Sequence, residues 1–203
     1  MKKIHTTFQF HTFDKGCLIA CLEMVMKNVR PDFLIKDFIS NLHKDKFGYD
    51  IQEVAEKLIE NNFKIEYGFY DKDILGHNFQ NKPLLKNLQK TLDSKKIPPK
   101  MVKYLKETIN FVKKYPDDIK IKKLNSNDLK NYIKESLPVI VHLNAKSLGA
   151  DSEEIHAVII NGYDGTGFYI VNPPKIAEEH VDFESFQKFW GEAGHYYLVI
   201  KKG

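Results

Sequence analysis

The stretch Gly16-Cys17-Leu18-Ile19-Ala20-Cys21-Leu22-Glu23-Met24-Val25 carries the clearest structural signal in this 203-residue chain. Apolar residues recur in it at intervals of three and four and continue to Val29, which predicts an amphipathic helix from Cys17 to about Val29. Pro31 then stops the helix. Cys17 therefore lies at a helix start, where free backbone N–H groups and the helix dipole favour the thiolate and lower the pKa of the thiol.

The two cysteines of the chain, Cys17 and Cys21, are predicted to be free thiols. Side chains four residues apart on a helix point in parallel, which is poor geometry for a disulfide, so we expect a reducing compartment. No Cys-x-x-Cys occurs and the histidines are scattered, so we predict neither a metal site nor a cofactor. Cys21 belongs to the apolar stripe and is predicted to be core. Cys17 is either a small packing residue or a nucleophile.

A β-hairpin is predicted near the C-terminus. His156–Tyr163 reads as an apolar strand, Asp164–Gly167 as a tight turn and Phe168–Asn172 as the returning strand, which ends at a Pro-Pro pair. The first residue of one hairpin strand lies beside the last residue of its partner. We therefore expect His156 and Asn172 to be neighbours, an arrangement that suits a base and the group that orients it.

Three further polar residues, Gln9, His142 and His195, have side chains that can take part in chemistry. Gln9, eight residues before Cys17, is positioned to supply an amide N–H to an oxyanion. His142 and His195 fall at predicted strand positions, and we interpret both as structural histidines whose hydrogen bonds are satisfied.

The remaining pattern places helices first and an antiparallel sheet later, which is typical of an α+β fold. Asp50 is a plausible N-cap for a helix through Asn61, with Glu53 as its reciprocal capping partner. Asn125 or Ser126 is predicted to cap a helix to about Ser136. Other predicted helices are Asp32–Ser40, Pro99–Lys114 and Phe183–Trp190, and other predicted strands are Lys64–Tyr70, Val139–Leu143 and Tyr196–Lys201.

Length and composition limit the class of protein. Hydrophobic residues make up 42% of the chain, enough for a core, and 203 residues fit a single domain. No apolar run approaches the ~20 residues of a membrane-spanning helix. Charged residues soon interrupt the basic N-terminus, so it does not resemble a signal peptide. We therefore expect a cytoplasmic protein, with export by another route left open.

The formal net charge of +4 is too small to indicate nucleic-acid binding. Charge is unevenly distributed, however, because residues 81–125 contain 13 Lys against 4 acidic residues. Only one of the 31 basic residues, Arg30, is an arginine, the residue best suited to bidentate phosphate recognition. We interpret the Lys-rich stretch as a solvated basic face and predict no nucleic-acid partner.

The segment from Gly16 to Val25 resembles the Cys-Gly-x-Ala-Cys/Ser-Leu-x-Met-Val motif of papain-like cysteine peptidases of the bacteriocin-processing, double-glycine-leader type and their stand-alone relatives. His156 to Pro173 is similar to their His-x-Val-Val-x-x-Gly-Tyr-Asp…Asn/Asp-Pro hairpin. The resemblance covers about 25 residues at each end. It implies a papain-like fold, with the nucleophile at a helix start packed on a C-terminal antiparallel sheet, in one domain over residues 1–203. Residues 70–124 match nothing in it and are interpreted as a Lys-rich insertion, which can border the cleft.

The resemblance implies roles for four residues. Cys17 would be the nucleophile, His156 the general base, Asn172 the group that orients the imidazole and Gln9 the side chain of the oxyanion hole. Leu18 stands where the family usually has Gly, and Asn172 where the peptidase branch more often has Asp. Two extra residues also separate Gln9 from the nucleophile, which leaves His11 as the alternative oxyanion donor.

These roles imply a thiol protease or related hydrolase that cleaves a peptide or other amide or thioester bond through a Cys17 acyl-enzyme. The partner would be a peptide or a small amide substrate. Two alternatives stay open. One is a catalytically inactive peptide-binding module on the same fold. The other is an acyl or γ-glutamyl transferase that passes the same acyl group to an amine or thiol.

Overall fold

The structure, a computed structural model, describes residues 1–5, 16–46, 48–75, 83–94, 97, 99–149, 154–173 and 177–201. A short 3-10 helix spans Ala145–Leu148. The α-helices are α1 (Cys17–Val29), α2 (Ile35–Ile39), α3 (Ile51–Glu60), α4 (Lys72–Leu75), α5 (Leu84–Asp93), α6 (Pro99–Lys114), α7 (Ser126–Lys134) and α8 (Phe183–Glu192). The strands are β1 (Lys2–Lys3), β2 (Lys44–Asp45), β3 (Gly48–Tyr49), β4 (Lys64–Gly68), β5 (Ile119–Lys120), β6 (Val139–Asn144), β7 (Ile155–Tyr163), β8 (Gly167–Asn172), β9 (Ala177–Asp182) and β10 (Tyr197–Lys201).

One sheet organises the described part of the chain. Its strand order is β5-β4-β10-β6-β7-β8-β9, with β1 paired to β7. Neighbours along this order are antiparallel, except that β4 and β5 are parallel. Because direction alternates, β4, β6 and β8 end where β10, β7 and β9 begin. We call this end of the strands, where Gly68, Asn144 and Asn172 lie, the upper end of the sheet.

Helix α1 packs on one face of the sheet, chiefly against β7, and eight of its 13 residues are buried. Its apolar residues belong to a core cluster that also contains side chains of α3, α6 and the central strands. Burying one such Leu, Ile, Val or Met side chain contributes roughly 1.5–3 kcal/mol. The stripe read from the sequence is therefore what holds the start of α1 in position over the sheet.

Helices α7 and α8 cover the opposite face. Trp190 and Phe186 of α8 are fully buried, and the Trp190 indole donates a hydrogen bond to the Tyr196 carbonyl at 3.0 Å. The second core cluster lies between these helices and the sheet. Its buried members are Leu124, Leu129, Ile133, Val139, Val141, Leu143, Val158, Ile160, Phe168, Ile170, Phe186, Trp190, Tyr197 and Val199.

The predicted helix caps are mostly confirmed. Asp50 accepts a hydrogen bond from Gln52 N at 2.6 Å, and Asn125 forms a reciprocal capping box with Asp128 at the start of α7. The reciprocal role predicted for Glu53 is wrong. Its carboxylate accepts instead from the backbone N–H of His43 at 2.9 Å, since the preceding loop brings that free donor closer.

The fold class is confirmed, and the structure refines the predicted order of elements. Helices α1 and α6 have the predicted bounds, and β7 and β8 form the predicted hairpin. The sheet is not confined to the C-terminal part, however, because β4 pairs with β10. The exposed edge strand β9 was not predicted, since charged residues dominate its sequence and hide the alternation of a strand.

Residues 70–124 contain α4, α5, α6 and β5 among their described parts. Helices α5 and α6 pack together, and their buried residues Leu88, Leu105 and Ile109 join the core cluster under α1. The described lysine side chains of α5 and α6 are exposed to solvent. That this segment is an insertion stays a prediction.

Candidate active site

Cys17 is the first residue of α1 and lies at the upper end of the sheet. The residue before it, Gly16, gives no side-chain cap, and the first turn of α1 contains no acidic residue. The first turn of the helix therefore contributes no carboxylate of its own to the first N–H groups. The Cys17 sulfur accepts a hydrogen bond from the Ala157 backbone N–H at 3.5 Å. This bond connects the start of the helix to the first residues of strand β7.

His156 and Asn172 meet at the same end of the sheet. They lie diagonally across the β7–β8 pair, and His156 Nε2 is 2.9 Å from Asn172 Oδ1. Since an amide oxygen only accepts hydrogen bonds, Nε2 carries the proton and Nδ1 is the ring nitrogen left for the thiol. The Asn172 side chain is buried, and its Nδ2 donates to Glu179 Oε1 at 3.1 Å.

The thiol and the imidazole shift each other's protonation in opposite directions. Burial opposes ionisation of Cys17, but a hydrogen bond from His156 and its positive charge outweigh burial, so the pKa of the thiol is lowered. Burial likewise disfavours the imidazolium of His156. Hydrogen bonds with Cys17 and Asn172 outweigh it, so the pKa of His156 is raised. Both shifts favour a thiolate–imidazolium pair, the form in which a cysteine is a nucleophile.

Cys21 differs from Cys17 in every respect that matters for reactivity. It is fully buried in the core, and burial raises the pKa of its thiol well above the ordinary value. The prediction that Cys21 is a core residue is confirmed. The chain therefore has one thiol in a reactive setting and one that is inert.

The predicted oxyanion-hole side chains are not among the described residues. Gln9 and His11 both fall outside them, so the choice between these two donors stays a prediction. Within the described chain, the backbone N–H groups of Cys17 and Leu18 lie at the helix start beside the sulfur. Backbone donors at a helix N-terminus suit a developing negative charge.

A cleft of about 710 Å³ opens at the upper end of the sheet. Its walls include Tyr70 after β4, His142 within β6 and Ile155 at the start of β7, and the larger part of them is formed by α8 and residues 193–196. Cys17, His156 and Asn172 do not line this cleft; its nearest connection to them in the chain is Ile155, the residue before His156.

The two histidines interpreted as structural both line this cleft. Burial, together with the charge of His156, lowers the pKa of His142 to about 4, so His142 is neutral at neutral pH. His195 precedes β10, so its predicted strand position is wrong. The backbone of His195 has a positive φ of 53°, and the centroid of its ring lies 5.0 Å from that of the Trp190 ring. Burial also lowers the pKa of His195 to about 4.

Sequence reasoning missed one polar residue of the site, Glu179. It lies on the unpredicted strand β9, which pairs with β8 so that Ala177 is opposite Asn172. The available signal was weak: two adjacent glutamates follow the Pro-Pro pair, within chain reach of Asn172. Without a predicted strand, nothing in the sequence placed one of them at the amide.

In the described part of the chain, no group of three or more His, Cys, Asp and Glu residues could hold a metal ion. None of the described helices combines the length and apolar character that crossing a membrane requires.

Comparison with known families gives one match, to the model described as the Peptidase_C39 like family, over residues 1–198. A comparison with curated protein sequences finds no match.

Solved structures share the fold over nearly the whole chain. A protein from Bacillus anthracis, assigned as a C39-like peptidase, aligns with TM-score 0.58 and 13% identity, covering 100% of this chain and 98% of its own. A double glycine motif protease from an AMS/PCAT transporter, solved with its leader peptide, gives 0.54 and 13%, covering 100% and 95%. The peptidase domain of Streptococcus ComA, a bi-functional ABC transporter, gives 0.54 and 14%, covering 98% and 100%.

Proposed function

Because the chain belongs to the Peptidase_C39 like family, we propose that it is a cysteine peptidase that cleaves a peptide bond, or another amide or thioester bond, through an acyl-enzyme on Cys17. One observation carries this proposal. The His156 imidazole interacts with the Cys17 thiol, whose pKa is lowered while its own is raised, and its Nε2 lies 2.9 Å from Oδ1 of the Asn172 amide. This is the arrangement of nucleophile, base and orienting group that acyl transfer requires.

In the proposed reaction, the Cys17 thiolate attacks the carbonyl carbon of the substrate and a bond to sulfur forms. The bond to the leaving amine or thiol breaks, and the leaving group takes the proton held on His156 Nδ1. His156 then removes a proton from water, which attacks the thioester. The acid is released and the proton returns to the thiol. Throughout, Asn172 accepts a hydrogen bond from Nε2 and keeps the imidazole in the required tautomer.

The oxyanion of each tetrahedral intermediate needs preorganised donors. We assign the backbone N–H of Cys17 as one donor, since it lies at the start of α1 with no acidic residue in the first turn. The side-chain amide of Gln9 is proposed as the second donor, with His11 as the alternative.

The cleft beside His142 is the proposed site for the substrate. Ile155, the residue before His156, belongs to its wall, which supports this, and its volume of about 710 Å³ lies within the usual range of ligand pockets. The structural relative from the AMS/PCAT transporter binds a leader peptide. We therefore propose a peptide segment as the substrate. Tyr70 and Lys123, at the two ends of the Lys-rich segment, both line the cleft.

The proposal can be tested before any substrate is known. Iodoacetamide reacts with thiolates, so the rate of its addition to Cys17 against pH, followed by intact-protein mass spectrometry, measures the ionisation of that thiol. We expect a midpoint below that of an ordinary free thiol, of about 8.5. The His156→Ala variant should move the midpoint upward. Cys21→Ala is the matched control and should leave the curve unchanged, and Cys17→Ala should abolish labelling.

Incubation with a peptide mixture then separates the possible functions. Free carboxylate products that depend on Cys17 indicate hydrolysis, and products joined to an added amine indicate acyl transfer. Normal peptide binding without turnover indicates a binding module. A wild-type labelling curve that coincides with that of His156→Ala would refute the proposed pair.

A further inference from the structure

The Asn172 amide contacts a second group besides His156. Glu179, on the edge strand β9, accepts a hydrogen bond from Asn172 Nδ2 at 3.1 Å. The β8–β9 register places Ala177 opposite Asn172, so Glu179 is two residues further along β9 and on the same face. The carboxylate is half-buried, and its position continues the row that begins at Cys17.

We propose that Glu179 is a positioning residue that fixes the orientation of the Asn172 amide and thereby the protonation of His156; this inference rests on the proposed function. A carboxylate only accepts hydrogen bonds, so the amide must turn its NH₂ group toward Glu179. The oxygen Oδ1 then faces the imidazole, which must present a protonated Nε2. Nδ1 is thereby left to take the proton of Cys17.

Without this carboxylate, the amide has two orientations of similar shape. In the flipped one, the NH₂ group faces Nε2, which can accept its hydrogen bond only when deprotonated. A neutral imidazole would then carry its proton on Nδ1, the nitrogen that is needed as a base. A charged imidazolium would lose the amide oxygen that accepts the hydrogen bond of its Nε2–H group. The carboxylate therefore selects between two states of the base, although it contacts neither the base nor the nucleophile.

Glu179 also contributes charge. Among the described residues, the groups that act on His156 are the thiol of Cys17 on α1, the amide of Asn172 on β8, the carboxylate of Glu179 on β9 and the imidazole of His142 on β6. His142 is neutral at neutral pH. Of the sheet residues in this group, Glu179 is therefore the one whose negative charge raises the pKa of His156. Its charge is among the causes that raise the pKa of His156 and is not among the principal causes of the shift at Cys17, so it stabilises the imidazolium more than it destabilises the thiolate.

The neighbouring residue provides a matched control. Glu178 also lies on β9 and also accepts a hydrogen bond from an asparagine amide, that of Asn161, at 3.1 Å. It points to the other face of the sheet, where it pairs with Lys3. Glu178→Gln therefore removes the same charge from the same strand without touching the row.

The experiment compares iodoacetamide labelling of Cys17 against pH in the wild type, Glu179→Gln and Glu178→Gln. Glu179→Gln removes the charge and lets the amide pair in either orientation. We expect its labelling rate below the wild-type midpoint to fall roughly threefold to tenfold, the order of effect of losing one unit charge from a partly hydrated site. Glu178→Gln should keep the wild-type curve. Circular dichroism and thermal unfolding verify that each variant is folded.

A double variant separates positioning from general stability. Asn172→Asp combined with Glu179→Gln moves the carboxylate next to the imidazole and gives it an amide partner, so labelling should return to the wild-type pH range. A Glu179→Gln curve that coincides with the wild type would overturn the inference, as would equal shifts in both single variants or a double variant that does not recover. These outcomes differ from failure of the proposed function, in which His156→Ala itself leaves the wild-type curve unchanged.

Discussion

Replacing Glu66 with Gln tests how the buried carboxylate of the central sheet contributes to stability. Glu66 lies on β4 with 4% of its side chain exposed. It accepts a hydrogen bond from the Tyr132 hydroxyl and lies 3.4 Å from that of Tyr197. Its other partners are the ammonium groups of Lys120 at 2.7 Å and Lys201 at 3.3 Å. Glutamine keeps the shape but brings an NH₂ donor into a site that already contains four donors.

The size of the effect follows from how deeply each partner is buried. Removing one member of a fully buried ion pair costs roughly 3–5 kcal/mol. Here Lys120 and Lys201 are 52% and 43% exposed, so both regain water. Glutamine keeps an oxygen for Tyr132 and Tyr197, which both contact Oε1, but its NH₂ group replaces Oε2 beside the two ammonium groups. A buried donor left without an acceptor costs about 1–3 kcal/mol. We therefore expect Glu66→Gln to lower the free energy of unfolding by about 2–4 kcal/mol at pH 7.

The loss should depend on pH in a definite direction. Burial opposes ionisation of Glu66, but its hydrogen bonds to Lys120 and Tyr132 outweigh burial, so the pKa of the carboxyl is lowered in the folded protein. A carboxyl with a lowered folded pKa contributes stability that is present above the unfolded value, about 4.3. That stability is lost as the pH falls through the folded pKa. The difference between wild type and variant should therefore shrink below about pH 4.

Urea unfolding at pH 7 and pH 3 measures the effect. Glu60→Gln is the matched control, because Glu60 also pairs with two lysines, Lys57 and Lys114, at 2.7 and 2.9 Å. Its side chain is 33% exposed, so solvent screens the pairs, and we expect a loss of about 0–1 kcal/mol. A Glu66→Gln variant that loses no more stability than Glu60→Gln would refute the reasoning from burial.

Three further predictions concern the proposed site. Cys17→Ala should abolish turnover with the fold intact, whereas Cys21→Ala should lower the free energy of unfolding by about 1–3 kcal/mol through a core cavity and leave activity unchanged. Parallel activity and unfolding assays check both, and a reversed pattern would contradict the assignment. Asn172→Ala should reduce kcat strongly but leave residual activity, because an orienting group does not itself react. Gln9→Ala should reduce kcat on the order of 10²–10³-fold if Gln9 donates to the oxyanion. A silent Gln9→Ala beside a damaging His11→Ala would assign the donor to His11.

Local patterns in the sequence were enough for several elements of the fold. Helix α1 begins at Cys17 and ends at Val29 as predicted, because apolar periodicity and the following Pro31 act within a few residues of each other. The β7–β8 hairpin was predictable for a similar reason, since the Asp164 carboxylate accepts hydrogen bonds from Thr166 N at 2.8 Å and Gly167 N at 3.0 Å within its own turn. These interactions need no distant partner.

Helix α5 was missed although Leu84, Leu88 and Leu92 recur in it at helical spacing. Strand β9 was missed because its sequence lacks a decisive local signal. Strand β9 exposes alternate residues at the edge of the sheet and is rich in charge, so only its pairing with β8 makes it a strand. The consequence for the site is direct, since Glu179 has no recognisable role until β9 lies beside Asn172.

Short-range patterns were enough to place one thiol at a helix start and His156 and Asn172 at adjacent ends of a hairpin, because turn chemistry and periodicity act between residues close in sequence. Tertiary structure decided the rest. The Cys17 sulfur and the Ala157 N–H are 140 positions apart in sequence and meet only because α1 packs across β7. The direction of each pKa shift follows from that meeting and from burial, which depend on how distant segments pack and cannot be read from either segment alone.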